Sequence, residues 1–352
     1  MNARVERLRA ELDALGAETF LATNSCNVRY LTGLDSSNAA VLVGRGSVVV
    51  LTDGRYLDAA RALDGVEVLP IDRDLLSDLG GRLGTVAEQP VAFESDTVTV
   101  AGLELLSANG TTLVPAKGVV LRLRAVKDDG ELDAIRRAAA VTNAVYERLA
   151  GDALVGRTEA DVAWWVEQAF HDEGADGAAF DTIVASGPNA ALPHHHPGSR
   201  VIGPGETVIV DAGALVDGYC ADCTRTFATG GLPDDLQRAY DLCREAQEAA
   251  LAAVRPGATG PGLDAIARSA IEASGIAPVL HGLGHGVGIE VHELPVLRPT
   301  SSDVLAPGNV VTIEPGVYLA GRGGVRIEDL VVVTDDGCDV LTTFTKDLVS
   351  LG

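Results

Sequence analysis

The chain has 352 residues, of which 47% are hydrophobic and 22% are charged, and its formal net charge at pH 7 is −23. This composition is typical of a folded protein, and the length is enough for two ordinary domains. The charge disfavours nucleic acid and anionic membrane surfaces as partners, because both would repel a polyanion.

The amino-terminal segment gives no sign of export or membrane insertion. The stretch "MNARVERLRAELDAL" is charged throughout, whereas a signal peptide has an apolar core. No uninterrupted apolar run approaches the roughly 20 residues that a membrane-spanning helix needs. We therefore expect a cytoplasmic protein that does not contact the membrane.

The first part of the chain alternates between predicted helices and strands. Val5, Leu8 and Leu12 recur at helical spacing, and Gly16 suits the end of that helix. Five apolar runs follow, with a further helical stretch over residues 56–63: "TFLAT", "AAVLVG", "GSVVVLT", "VEVLPI" and "PVAFE". This alternation predicts an α/β domain over residues 1–121.

The remainder of the chain, residues 122–352, has a different pattern. "KDDG" and then Thr158 suit the starts of two helices, because each places an acidic residue near the helix amino terminus. Gly-rich apolar runs follow, and two more helical stretches over residues 233–254 and 261–274 interrupt them. We therefore predict a second, α+β domain, so that the fold class of the whole chain is α+β.

A predicted hairpin in the second domain brings two aspartates together. In "VIVDAGALVDGYCADCTRTF", the pair Asp217-Gly218 is a favoured two-residue turn. Taking it as the turn places Asp211 opposite Thr224, with Asp222 on the same face as Thr224. Asp211 and Asp222 are then diagonal neighbours, about 7–8 Å apart at the backbone. Two carboxylates this close need a cation between them, or one of them must hold a proton.

Two further acids have similar apolar settings. Glu314 follows the run "VVTI", and Glu328 lies just before "LVVV". Burial of an unpaired carboxylate is costly, and four carboxylates would balance the charge of two divalent cations. Oxygen ligands with one imidazole favour hard or borderline ions such as Mn²⁺ or Co²⁺. The pattern predicts a two-metal site that can activate a water molecule.

Six of the seven histidines fall in two groups, residues 194–196 and the stretch "HGLGHGVGIEVHE". His281 and His285 have the spacing of a zinc-protease helix. However, the stretch contains four glycines in seven residues, and each costs a helix about 1 kcal/mol relative to Ala. We therefore predict irregular or extended backbone that approaches the site closely.

Taken together, these segments resemble the metallopeptidases of the "pita-bread" fold, and within them the Xaa-Pro aminopeptidases and Xaa-Pro dipeptidases (prolidases). The resemblance depends on "SGPNAALPHHHP", "DAGALVDGYCADCTRTF", "HGLGHGVGIEVHE", "TIEPGVY" and "GVRIEDLVVV", which occur in the order of the family. By its general pattern, the first domain is similar to the creatinase-type amino-terminal domain of the same family.

The resemblance implies a role for each candidate site residue. It implies five metal ligands: Asp211, Asp222, His285, Glu314 and Glu328, with Asp222 and Glu328 bridging two ions. It implies substrate-binding roles for His194, His281, His292 and Arg326, where the arginine pairs a substrate carboxylate or orients a ligand. It implies catalytic roles for Glu314, His292 and His194.

The resemblance also implies an activity. We expect hydrolysis of the bond between an N-terminal residue and proline, through a water that two divalent ions activate. Manganese is favoured, with cobalt and zinc as alternatives, and the family implies a homodimer. The substrates would be Xaa-Pro dipeptides or longer peptides with proline at the second position. The rival interpretations are a methionine-aminopeptidase-like enzyme and an inactive binding protein on the same fold.

Overall fold

A computed structural model describes residues 3–352. The chain forms two compact units, one ending at Arg124 and the other spanning Ala125–Gly352. Its helices and sheets together confirm the α+β class.

The first unit contains a sheet flanked by helices. Its helices are α1 (Ala3–Leu15), α2 (Ser25–Thr32), α3 (Leu57–Arg61), α4 (Leu75–Val86), α5 (Val100–Ser107) and α6 (Val119–Ala125). Its strands are β1 (Thr19–Ala22), β2 (Ala39–Gly44), β3 (Val48–Thr52), β4 (Glu67–Pro70), β5 (Val91–Glu94) and β6 (Leu113–Ala116). They form one sheet in the order β4-β3-β2-β1-β5-β6.

The five predicted strands of this unit correspond to β1 to β5, whereas helix α4 was not predicted. Its sequence, "LLSDLGGRLGTV", contains three glycines, which weaken a helix in isolation. A Cβ atom at Gly80 would lie 2.1 Å from the carbonyl oxygen of Leu105 in α5. The absent side chain therefore permits close packing of the two helices, and this tertiary contact outweighs the local preference.

The second unit contains four helices and a one-turn 3₁₀ helix. They are α7 (Asp129–Leu149), α8 (Glu159–Asp172), α9 (Asp234–Leu251), α10 (Gly260–Ser274) and the 3₁₀ turn Gly187–Ala191. Asp128 and Thr158 cap α7 and α8, each in a reciprocal capping box with the acidic residue three positions on. No helix within residues 3–352 combines the length and the apolar character that a bilayer crossing requires.

The strands of the second unit form four small sheets. The strands are β7 (Gly177–Ala178), β8 (Ile183–Ser186), β9 (Thr207–Asp211), β10 (Ala214–Val216), β11 (Tyr219–Cys220), β12 (Thr224–Ala228), β13 (Gly284–Gly286), β14 (Glu293–Leu297), β15 (Val310–Ile313), β16 (Gly316–Leu319), β17 (Gly323–Arg326), β18 (Asp329–Val333) and β19 (Cys338–Val340). The sheet orders are β11-β10-β7, β12-β9-β8, β14-β13-β15-β18-β19 and β16-β17. All the candidate site residues belong to this unit.

Candidate metal-binding active site

The predicted hairpin has the expected register. Asp217 and Gly218 have φ angles of 49° and 69°, as a two-residue turn of this type requires. Val216 pairs with Tyr219, and Asp211 pairs with Thr224. The two ends of the hairpin belong to different sheets, so Asp222 lies in the short gap between β11 and β12. Both aspartates line the same cavity.

Three other side chains line the same cavity as the two aspartates. We call the five residues together the acidic cluster: Asp211, Asp222, His285, Glu314 and Glu328. His285 lies on β13, with its Nε2 atom 3.2 Å from Glu314 Oε1 and 3.7 Å from Asp222 Oδ2. Ligand-capable atoms of Asp222, His285 and Glu328 all lie within 4.8 Å of one another. The cluster is thus compact enough for three of its members to hold one ion.

The glycines around His285 let three strands pack against one another. A Cβ atom at Gly284 would lie 2.1 Å from the carbonyl oxygen of Thr312 on β15. A Cβ atom at Gly286 would lie 2.2 Å from the carbonyl oxygen of Leu294 on β14. Only glycine permits this spacing on both sides. Residues Gly284–Gly286 therefore form a strand between β14 and β15, and the stretch is not a zinc-protease helix.

The acidic cluster is electrostatically strained without a cation. Burial, together with repulsion from the neighbouring carboxylates, raises the pKa of Asp222 and of Glu328 well above the ordinary values. Burial also acts on Glu314, but the hydrogen bond from His285 outweighs it and lowers the pKa of Glu314 to about 2. The same bond raises the pKa of His285 despite its desolvation.

The donor atoms fit divalent cations. Asp211 Oδ1 and Glu328 Oε1 are buried and have no hydrogen-bond partner among residues 3–352. Two such oxygens are costly unless a cation neutralises them. His285 Nδ1 lies 3.1 Å from the carbonyl oxygen of Gly286 and donates to it. Nε2 is therefore the nitrogen that would ligate a metal, after release of the proton that it shares with Glu314. Carboxylates with one imidazole suit Mn²⁺, Co²⁺ or Zn²⁺.

Arg326 is buried beside the acidic cluster, and each of its three guanidinium nitrogens donates a hydrogen bond to the protein. Its Nη2 atom donates to Asp211 Oδ2 at 2.6 Å, and its Nε atom donates to Thr224 Oγ1 at 3.0 Å. Its Nη1 atom donates to Tyr318 Oη and to the carbonyl oxygen of Pro193. Because the bond to Asp211 uses Oδ2, it orients the carboxylate with Oδ1 available for a cation.

Tyr318 connects Arg326 to His281, a link that the sequence did not reveal. His281 Nδ1 lies 2.8 Å from the carbonyl oxygen of Gly282, so this nitrogen holds the proton. His281 Nε2 therefore accepts from the Tyr318 hydroxyl, 2.9 Å away. Burial lowers the pKa of His281, which agrees with a neutral ring in this chain of hydrogen bonds.

A cavity of about 440 Å³ brings the predicted residues together. All nine line it: His194, Asp211, Asp222, His281, His285, His292, Glu314, Arg326 and Glu328. The rings of His285 and His292 lie 4.3 Å apart between centroids, in an edge-to-face arrangement. Phe180, Ile183 and Val296 add an apolar wall, so the cavity offers both an acidic end and an apolar surface.

Two further residues near the site have partners that pattern alone did not indicate. Thr224, predicted to share a face with Asp222, donates from Oγ1 to Glu328 Oε2 at 2.7 Å. Glu293 has a buried ion pair with Lys127, at 3.1 Å between Nζ and Oε2. Its side chain is 1% exposed, so the structure gives Glu293 an ion-pairing role next to His292.

Comparison with known proteins agrees with this geometry. The family model for metallopeptidase family M24 matches residues 133–335, and the model for the creatinase/prolidase N-terminal domain matches residues 4–126. An Xaa-Pro dipeptidase of Pyrococcus horikoshii is 30% identical, with 99% of each chain covered.

Solved structures are similar over the whole chain. The Xaa-Pro dipeptidase from Bacillus anthracis has a TM-score of 0.94 at 34% identity, with 99% of each chain covered. The X-Pro aminopeptidase from Thermotoga maritima has a TM-score of 0.90 at 32% identity, covering 98% of this chain and 99% of that one. Both kinds of peptidase are therefore among its structural relatives.

Proposed function

Because the chain belongs to metallopeptidase family M24, we propose that it hydrolyses the peptide bond between an N-terminal residue and proline. The observation that carries this proposal is the acidic cluster, with its two unpartnered buried oxygens on Asp211 and Glu328. It lies inside a cavity lined by five further histidines, at positions 194, 195, 196, 281 and 292. An inactive binding protein has no evident need for such a costly set of buried carboxylates.

We assign the acidic cluster to two divalent ions, with Asp222 and Glu328 shared between them and manganese as the favoured metal. When bound, such ions supply a Lewis acid that activates a water molecule and offsets the negative charge that develops on the substrate. Thr224 holds Glu328 through Oε2, and Arg326 holds Asp211 through Oδ2. Each of these two carboxylates thus has one oxygen fixed by the protein and one oxygen without a hydrogen-bond partner, which would be free to bind an ion.

Side chains of this protein transfer the proton, stabilise the developing charge and bind the substrate. Glu314 Oε1 would accept the proton of the attacking water, because its pKa of about 2 leaves the carboxylate ionised before any metal binds. Once His285 gives Nε2 to a metal, the cation would keep Glu314 ionised in place of that hydrogen bond. His292 stabilises the oxyanion that forms on the carbonyl before proline. His281 and His292 line the pocket around the proline side of the scissile bond, and His194 also contacts the substrate. Since the guanidinium of Arg326 is already engaged, we assign it to ligand orientation and not to capture of a substrate carboxylate.

Metal-loaded protein tests the proposal directly. Bound metal is removed from the protein with a chelator, and the protein is reloaded with Mn²⁺, Co²⁺ or Zn²⁺. Release of the free N-terminal amino acid is then measured from Ala-Pro, Ala-Pro-Ala and Met-Ala-Ser. We expect cleavage of the proline substrates, with the highest rate in Mn²⁺. The ratio of the first two rates distinguishes a dipeptidase from an aminopeptidase.

Each rival function predicts a different result. Preference for Met-Ala-Ser would favour a methionine-aminopeptidase-like enzyme. Failure to bind any of the three metals would favour a binding protein on this fold. The homodimer implied by the family is measured separately, by light scattering of the same preparation.

A further inference from the structure

The segment that carries His194 into the cavity is itself neither a strand nor a helix. Residues 192–198, "LPHHHPG", which we call the histidine loop, are neither helical nor extended in a sheet. His194 and His196 are exposed, whereas His195 is half-buried. All three line the cavity. An irregular loop keeps a defined shape only where other groups satisfy its polar atoms.

One buried carboxylate supplies much of that support. Glu159 is the first residue of α8, and its side chain is 0% exposed. Glu159 Oε1 accepts from the backbone N–H and the hydroxyl of Ser186, at 2.8 and 2.7 Å. Its Oε2 atom accepts from His195 Nε2 at 2.8 Å, and the amide of Asn189 contacts both oxygens.

These donors keep the carboxylate charged. Burial alone would raise the pKa of Glu159, but the hydrogen bonds from Ser186, His195 and Asn189 outweigh it and lower the pKa. The position at a helix amino terminus also favours an anion. The backbone N–H groups of Glu159 and Ala160 donate to the carbonyl oxygens of Arg200 and Gly198. The start of α8 is thus bonded to the far end of the histidine loop.

A second contact holds the loop on the other side of His194. Arg326 Nη1 donates to the carbonyl oxygen of Pro193 at 3.0 Å. His194 therefore lies between two tethered neighbours, with Pro193 bonded to Arg326 and His195 bonded to Glu159. Arg326 lies beside the acidic cluster and lines the cavity, whereas Glu159 is a buried residue that does not line the cavity.

We propose that Glu159 is a positioning residue, which acts through His195 to hold the histidine loop so that His194 faces the cavity. The tether is a property of the free protein, and only its effect on catalysis rests on the proposed function. A carboxylate suits this role because every group around it is a donor. Glutamine at position 159 would turn one acceptor into a donor and oppose one of these contacts.

Hydrogen exchange of the metal-loaded protein tests the tether without any substrate. We expect His195→Ala to accelerate amide exchange over residues 194–198 by about tenfold, because a charge-assisted hydrogen bond is lost. His196→Ala is the matched control, since it removes an exposed imidazole from the same loop. Glu159→Gln should accelerate exchange over a longer segment, including Ser186 and Gly198. Equal exchange in His195→Ala and His196→Ala would overturn the proposal.

A double-mutant cycle tests whether the tether acts through His194. We expect His195→Ala to lower kcat/KM for Ala-Pro about tenfold, with metal content and melting temperature unchanged. In a His194→Ala background the same change should lower kcat/KM less than about twofold, because the positioned group is already absent. Equal losses in both backgrounds would contradict positioning of His194, since a general structural defect would act in either one. If the parent protein cleaves no Xaa-Pro substrate, the proposed function fails, and the exchange experiment alone decides the tether.

Discussion

The acidic cluster and the cavity-lining histidines outside it are held in place by different means. Each member of the cluster lies within a strand or within two residues of one, so the hydrogen bonds of the sheets determine its position. The histidine loop and the segment before Glu293 lie outside the ladders. Buried side chains support them instead. Glu159 contacts the histidine loop. Glu293, itself paired with buried Lys127, accepts from the backbone N–H of Glu290 in the other segment.

The two means of support correspond to two requirements of a metal-dependent site, namely metal binding and substrate contact. A metal centre needs fixed distances, and a sheet supplies them through many bonds, so that no single side chain determines the geometry. Groups that contact substrate lie on irregular segments, where one buried contact has a large effect. Changes to the acidic cluster should therefore remove the chemistry, whereas changes to the supporting residues should alter stability or rate while the metal is retained.

The largest effect is expected from Asp222→Ala. The substitution removes a carboxylate proposed to contact both ions, so metal content should fall and activity on Ala-Pro should drop at least about a thousandfold. Metal content is measured by elemental analysis of the dialysed protein. Asp133→Ala, at an exposed position on α7, is the control and should retain both. An active Asp222→Ala variant with full metal content would disprove the shared-ligand role.

A smaller effect, and one on stability, is expected from Lys127→Met. The Lys127 and Glu293 side chains are each 1% exposed, and loss of one charge from a buried pair costs about 3–5 kcal/mol. Urea unfolding should show this loss while the metal remains bound. The exposed pair of Arg148 with Glu173 is the control, because Glu173→Gln should cost under about 1 kcal/mol. A loss of metal in Lys127→Met would contradict the expectation that the supporting residues can be changed without affecting metal binding.

The smallest effect is expected from pH, and it concerns the carboxyls of the acidic cluster. Because the pKa values of Asp222 and Glu328 are raised in the metal-free protein, each carboxyl keeps its proton more strongly folded than unfolded. The free energy of unfolding of the metal-free protein should therefore fall as pH rises above about 4.

Metal binding must displace these protons, so affinity should rise about tenfold per pH unit for each proton released. Calorimetry in buffers of different ionisation enthalpy measures that number directly. His195→Ala should release the same number of protons as the parent protein. A pH-independent affinity would contradict the proposed protonation of the cluster.

The acidic cluster was largely predictable from local patterns. Asp217-Gly218 determines the turn, and strand alternation then places Asp211 and Asp222 on one face. The glycines around His285 indicated a closely packed segment instead of a helix. What these patterns cannot show is a partner distant in sequence. Glu159 and His195 are separated by 36 residues, and Lys127 and Glu293 by 166.

The sequence by itself determined the fold class and the hairpin register, because both depend on short-range periodicity or turn chemistry. The grouping of the histidines and Arg326 at one site was implied only by the resemblance to a known family. Only the tertiary structure decided how they are held. Arg326 is bonded to Asp211 and Tyr318, and Glu293 is paired with Lys127. The physical reason is that burial obliges each polar group to find a partner, and which partner it finds depends on how distant segments pack.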